Sequence, residues 1–227
     1  MMPLLSPTRE VARSCPEFSV VLGPDYAGKS TLLSELATHD VQCVSYDDSF
    51  VRPECSLVND LRDGFVSRAV RGLGTAYSTD FVITLLQTSV VYLRDQAVQA
   101  DSDRPVVVDS YYYKVLAKCV LAGMVNDDLF AWWRTFPRPS RVIYLDVDPE
   151  TAWRRSGEGA LLNPFEHYGQ VPTWDGFQRF QTDLRLLMIN EIGAVPMSLL
   201  DATTGVGQTV AAVRRTLRSG DAEQLDR

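Results

Sequence analysis

From Gly23 to Ser30 the chain reads Gly-Pro-Asp-Tyr-Ala-Gly-Lys-Ser, which fits G-x-x-x-x-G-K-[ST] at every fixed position. Each residue type has a chemical reason. The glycines let the backbone curl until several N–H groups face one phosphate. Lys29 places a positive charge near the β and γ oxygens, and Ser30 offers a hydroxyl to Mg²⁺. A helix beginning at this point would add its positive dipole end. The pattern implies a site for ATP with Mg²⁺, lined by Gly23, Asp25, Ala27, Gly28, Lys29, Ser30 and Thr31.

Three carboxylates stand where such a site needs them. Phosphoryl transfer depends on positioning and charge neutralisation more than on covalent chemistry. An alcohol acceptor also benefits from a carboxylate that takes its proton, whereas a phosphate acceptor is already ionised and needs cations. Asp47 and Asp48 follow a short apolar run, Val41 to Ser45, at the rim where open α/β sheets bind ligands. One of them is expected to be the acceptor base, and Asp48 is preferred because it opens Asp-Ser-Phe; the competing reading is an Asx turn. Asp109 follows three valines, where a buried charge is costly unless something uses it. With Ser30 it is the expected metal ligand. Arg155 closes a predicted helix and is expected to touch ATP, although a cation there also complements the helix dipole. Gln87 is a candidate reader of a base edge, and Tyr111 a candidate stacking ring for the acceptor. Trp132 and Trp133 read as packing residues.

The elements that must position these residues are legible from periodicity. Phe18 to Leu22 is a continuous apolar run ending in Gly-Pro, the mark of a strand buried on both faces. Similar short runs lie at 41–45, 105–108, 142–145 and 195–200. Helical spacing covers 29–38, 56–71, 78–99, 111–123, 126–135, 173–192 and 206–218, with Gly72 and Gly74 separating the second and third, and a further helix follows Asp-Val-Asp-Pro-Glu as far as Arg155. Strands alternating with helices predict a three-layer α/β domain: a five-stranded parallel sheet with helices on both faces. The core is expected over 17–218, with loose ends at 1–16 and after 218. Residues 156–172 contain three glycines and two prolines without a clear period, and are expected to form a mobile lid.

Bulk composition narrows the partners. Hydrophobic residues are 45% and charged residues 22%, ordinary for one globular domain of 227 residues. A net charge of -7 argues against nucleic-acid and anionic-membrane partners, which are reached through fields of Lys and Arg. No apolar stretch approaches membrane-span length. The four cysteines lack C-x-x-C spacing and read as reduced thiols, and the first residues lack a secretory pattern; both imply a cytoplasmic protein. The sequence leaves a homodimer open.

Beyond the loop, the order of segments resembles the thymidylate kinase family and its nucleoside-kinase relatives. Asp25 stands where thymidylate kinases carry an acidic residue facing the acceptor sugar. Val106-Val-Val-Asp-Ser-Tyr111 is similar to their strand and Asp-Arg-Tyr motif, and Leu145 to Arg155 to their fourth strand and following helix. Phe165-Glu166 resembles the lid glutamate, which makes Glu166 a candidate acceptor contact. Ser45-Tyr-Asp-Asp-Ser-Phe50 resembles the Asp-Ser-Phe segment of uridine kinases. The resemblance implies a P-loop kinase fold and ATP-dependent transfer to a nucleoside or nucleoside monophosphate. Ser110 and Tyr26 stand where family members place arginines, and 156–172 holds no Lys or Arg. A neutral, hydroxyl-bearing acceptor is therefore expected. Two other readings are a nucleotide-dependent switch and a degenerate kinase that only binds. Guanine-specific switches carry Asn-Lys-x-Asp, which this chain lacks.

Overall fold

A computed structural model describes residues 15–224. The expected arm at 1–16 therefore lies almost wholly outside the described residues. Strand β1 (Phe18–Leu22) is buried at all five positions, as its unbroken apolar run requires. It is followed by α1 (Lys29–Ala37), β2 (Gln42–Val44), α2 (Leu57–Gly64), α3 (Thr79–Val98), β3 (Val106–Asp109), α4 (Tyr113–Leu121) and α5 (Asp127–Trp133). The chain continues through β4 (Arg141–Asp146), α6 (Pro149–Arg155), α7 (Trp174–Ile192), β5 (Met197–Asp201) and α8 (Val206–Gln224).

The five strands form one parallel sheet in the order β2-β3-β1-β4-β5. Alternate residues of β1 feed opposite faces. Val20 and Leu22 enter a cluster with Val82, Val90 and Leu93 of α3 and with Phe180 and Leu184 of α7. Val21 enters a second cluster with Leu32, Leu33 and Leu36 of α1 and Val213 of α8. Helices thus cover both faces, the expected α/β architecture. Register then matters for function: Val21 of β1 pairs with Asp109 of β3, so the phosphate loop and that carboxylate leave the sheet at the same edge.

Side-chain caps fix several starts. Ser78, Asn126, Asp148 and Thr173 each accept a hydrogen bond from the first turn of α3, α5, α6 and α7. Differences from expectation have local causes. The helical spacing at 56–71 resolves into α2 and a π-helical turn, Phe65–Ala69, before the turn at Gly72 and Gly74. The polar tail expected to fray after 218 instead continues α8 to Gln224, since it contains no helix-breaking proline. No helix among the described residues is long and apolar enough to cross a membrane.

Candidate functional site

The carboxyl ends of β1, β2 and β3 open onto a cavity of about 550 Å³. Its floor is the phosphate loop. Gly28 has φ +88° and caps α1 from the left-handed region, a conformation that needs glycine. At Gly23 a Cβ would lie 2.7 Å from the carbonyl oxygen of Leu145, so only glycine lets the loop pass that close to β4. Ala27, Gly28, Lys29, Ser30 and Thr31 all face the cavity. Lys29 is folded onto its own loop, donating to the carbonyls of Pro24 at 2.8 Å and Gly23 at 3.2 Å. Burial, followed by the charge of the neighbouring Lys114, holds the Lys29 pKa well below its ordinary value. A cation so placed gains from an entering polyanion.

Asp109 ends β3 at the cavity wall. Its Oδ2 accepts from Ser45 Oγ at 3.0 Å and its Oδ1 from Ser110 Oγ at 2.8 Å. The chain then turns sharply: Ser110 and Tyr111 take φ of +56° and +47° before α4 begins. Two successive non-glycine residues in that region store strain of the kind found at functional sites. Ser30 and Asp109 both face the cavity and supply one hydroxyl and one carboxylate. Among the described residues no group of three His, Cys, Asp or Glu forms a cation cage. That donor set fits Mg²⁺ held largely by phosphate oxygens and water.

The structure separates the paired aspartates. Asp47 lines the cavity, with its amide donating to Ser45 Oγ at 3.1 Å. Asp48 turns outward, its side chain 61% exposed and paired with Arg62 at 3.1 Å. The preference for Asp48 is therefore corrected in favour of Asp47: Asp47 stays at the cavity with Tyr46, while Asp48 is drawn out to Arg62. Gln87 is also corrected. The inward face of α3 presents Leu85, Leu86 and Ser89, and Gln87 lies off that stripe. Tyr111 is corrected too. Its positive φ drives the ring into the core, where it is fully buried against Phe18 and its hydroxyl donates to the carbonyl of Pro137. Arg155 lies on the outer side of the loop, donating to the carbonyls of Tyr26 and Ala202.

Sequence reasoning found Lys29 but missed the two other lysines of this site. Lys114 and Lys118, one turn apart on α4, reach Asp25 Oδ1 at 2.7 and 3.0 Å. Lys118 also lies 3.6 Å from Glu166 Oε1. Gln181 of α7 donates to Asp25 Oδ2 and to the carbonyl of Glu166, and accepts from the Asp25 amide. The Asp25 carboxylate, expected to face a sugar, is thus occupied as the anchor of two lysines. A signal was available: the chain has only three lysines, Lys29, Lys114 and Lys118, among 22 Lys and Arg. All three converge here. Tyr26 spans to the 156–172 segment, its hydroxyl donating to the carbonyl of Leu161 at 2.9 Å.

Beyond this polar floor the cavity becomes apolar. Leu61, Val70 and Val115 contribute to it, and Phe65 and Phe165 face each other with ring centroids 5.8 Å apart. Arg62 lies over the Tyr46 ring at 5.8 Å. Tyr46 is pushed up to about 12 by burial and then by the nearby Asp109 charge, so its hydroxyl stays protonated at neutral pH.

No protein-family model and no curated protein sequence matches the chain. Solved structures do. Thymidylate kinase from Candida albicans aligns with a TM-score of 0.62 at 15% identity, covering 91% of this chain and 92% of that one. Deoxyadenosine kinase from M. mycoides, with the products dCMP and dCDP, aligns at 0.58 and 14% identity, covering 88% and 98%. The same kinase with bound dATP aligns at 0.55 and 14% identity, covering 88% and 99%. The chain shares the fold of these kinases. Within that kinase fold, the resemblance seen in the order of sequence segments reappears as the order of strands and helices.

Asp25 also bears on stability. Burial would raise its pKa, but Lys114, Lys118 and Lys29 outweigh that and hold the carboxyl far below its ordinary value of 3.8. A depressed carboxyl contributes stability that is complete above its unfolded pKa and lost as pH falls toward the folded one. Asp25→Asn is expected to cost about 3–5 kcal/mol at neutral pH, because it strips the buried Lys114 ammonium and the half-buried Lys118 ammonium of their carboxylate. Urea unfolding at a series of pH values checks this. The gap between parent and variant should stay constant above 3.8 and close below it.

Proposed function

We propose that the protein is an ATP-dependent kinase that phosphorylates a hydroxyl of a small molecule of the nucleoside class. One observation carries this reading: the phosphate loop, Asp109 and Asp47 open onto the same cavity, which continues directly into an apolar chamber walled by Phe65 and Phe165. ATP would lie along the loop, held by the backbone of Gly23 to Ser30 and by Lys29. Arg155, between the loop and the turn after β5, would lie against its nucleoside end. Mg²⁺, held through Ser30 and Asp109, would neutralise phosphate charge. The aromatic chamber would take the flat part of the acceptor, directing its hydroxyl toward Asp47.

Charge balance supports a neutral acceptor. Lys29, Arg62, Lys114 and Lys118 line the cavity, and Asp25, Asp47, Asp109 and Glu166 match them one for one. Such a site has little surplus to hold a second phosphate beside ATP. Residues 156–172 would act as the lid, joined to the loop through Tyr26 and Leu161 and turning at Gly157, Glu158 and Gly159, all of positive φ. Closing it would exclude water from the transfer.

ATP consumption against a panel of nucleosides, nucleoside monophosphates and simple alcohols tests the proposal. Nucleosides are expected to stimulate turnover most. Turnover only with monophosphates would move the acceptor to that class, and turnover with none of the panel would overturn the acceptor reading.

A further inference from the structure

Lys114 and Lys29 share one hydrogen-bond acceptor. Lys114 Nζ donates to the carbonyl of Gly23 at 3.3 Å, and Lys29 Nζ reaches the same oxygen at 3.2 Å. Lys114 is buried, at 8% exposure, and Lys29 is half-buried. Two ammonium groups around one carbonyl repel, which an anion entering between them would relieve. The phosphate-loop lysine is the one that reaches the β and γ oxygens. Lys114 is a second ammonium beside it, and it lines the same cavity as Val115 and Phe165 of the acceptor chamber.

We propose that Lys114 binds the γ-phosphoryl group of ATP and stabilises it during transfer, a role for which positions 26 and 110 offer no arginine. The proposal rests on the kinase reading above. In the step, the acceptor oxygen forms a bond to the γ-phosphorus while the bond from that phosphorus to the β,γ-bridging oxygen breaks. ADP leaves with that electron pair, and the acceptor's proton passes to Asp47. The charge carried by the three peripheral oxygens is what the ammonium groups neutralise. Burial disfavours the Lys114 charge, but the Asp25 carboxylate more than offsets it, so the group remains protonated throughout. A lysine suits this place in an otherwise arginine-rich chain. A compact ammonium fits between Asp25, the Gly23 carbonyl and Lys29, where a planar guanidinium fork would need more room.

Calorimetric titration with ADP and with the non-hydrolysable β,γ-imido analogue of ATP tests it. Lys114→Met is expected to weaken analogue binding by about 10–100-fold, the usual worth of a hydrogen bond to a charged group, while leaving ADP affinity nearly unchanged. Equal losses for both nucleotides would show Lys114 to be a support for Asp25 only, and no loss for either would remove it from the phosphate site; each overturns the proposal. If the parent protein bound neither nucleotide, the kinase reading itself would fall, a result distinct from the other two. A measurement on the unaltered chain guards against misfolding of the variant. With three lysines in all, side-chain NMR of lysine-labelled protein resolves each one. The analogue should shift the Lys114 resonances where ADP does not, and equal shifts of Lys114 under both would overturn the assignment.

Discussion

Lys29→Ala is expected to abolish phosphoryl transfer while leaving the fold in place. Lys29 donates to the Gly23 and Pro24 carbonyls of its own loop, and its charge is disfavoured by burial and by Lys114. Removing it therefore takes little from the folded state. In the reaction the same ammonium faces the β and γ oxygens, where charge must be neutralised as the phosphoryl group moves. Loss of one such preorganised contact commonly reduces turnover by about 10²–10³-fold, and of a cation on the transferred group by about 10³–10⁵-fold. We expect about 10³-fold or more. The measurement is initial-rate ATP turnover with an accepted acceptor, beside a thermal unfolding curve that should overlay the parent's. Turnover at the parental rate would sink the phosphate-loop reading.

The second large effect is expected at Asp47. The structure leaves Asp47 facing the cavity and hands Asp48 to Arg62, so the two can be tested singly. Asp47→Asn keeps size and hydrogen bonding but removes the ability to accept a proton. On a hydroxyl acceptor the rate should fall by about 10²–10⁴-fold, the usual worth of general-base help. Asp48→Asn breaks only an exposed ion pair and should leave the rate within a few-fold. Substrate specificity enters directly. If a monophosphate is the better acceptor and Asp47→Asn barely changes its rate, the hydroxyl reading is wrong. In that case Lys118, beside Glu166 at the mouth of the acceptor chamber, becomes the group to test next.

Fold and loop were readable from the residues because their determinants are local. A run such as Phe18 to Leu22 has no polar face to expose, so it must be an interior strand, and Gly23 and Gly28 occupy backbone states or spaces closed to other residues. The five strands, their parallel arrangement and the eight α-helices of the described residues follow from such patterns, with boundaries displaced by a few residues, whereas the strand order β2-β3-β1-β4-β5 does not. The phosphate loop was legible for the same reason, since its spacing is its mechanism.

Direction and company were decided by the tertiary structure. Asp47 and Asp48 are adjacent in sequence, yet one faces the cavity and the other solvent, and only the path of the chain after β2 chooses between them. Tyr111 reads as a plausible stacking ring until the strained turn at Ser110 and Tyr111 drives it into the core. Most of all, the absence of arginine at 26, at 110 and through 156–172 suggested a site poor in cations. The fold supplies them from elsewhere: α4 rises from the end of β3 beside the phosphate loop, and brings Lys114 and Lys118 across 89 and 93 positions of sequence to one oxygen of Asp25. Local spacing determines what a segment can become, whereas an electrostatic site is a sum over groups that only packing brings together.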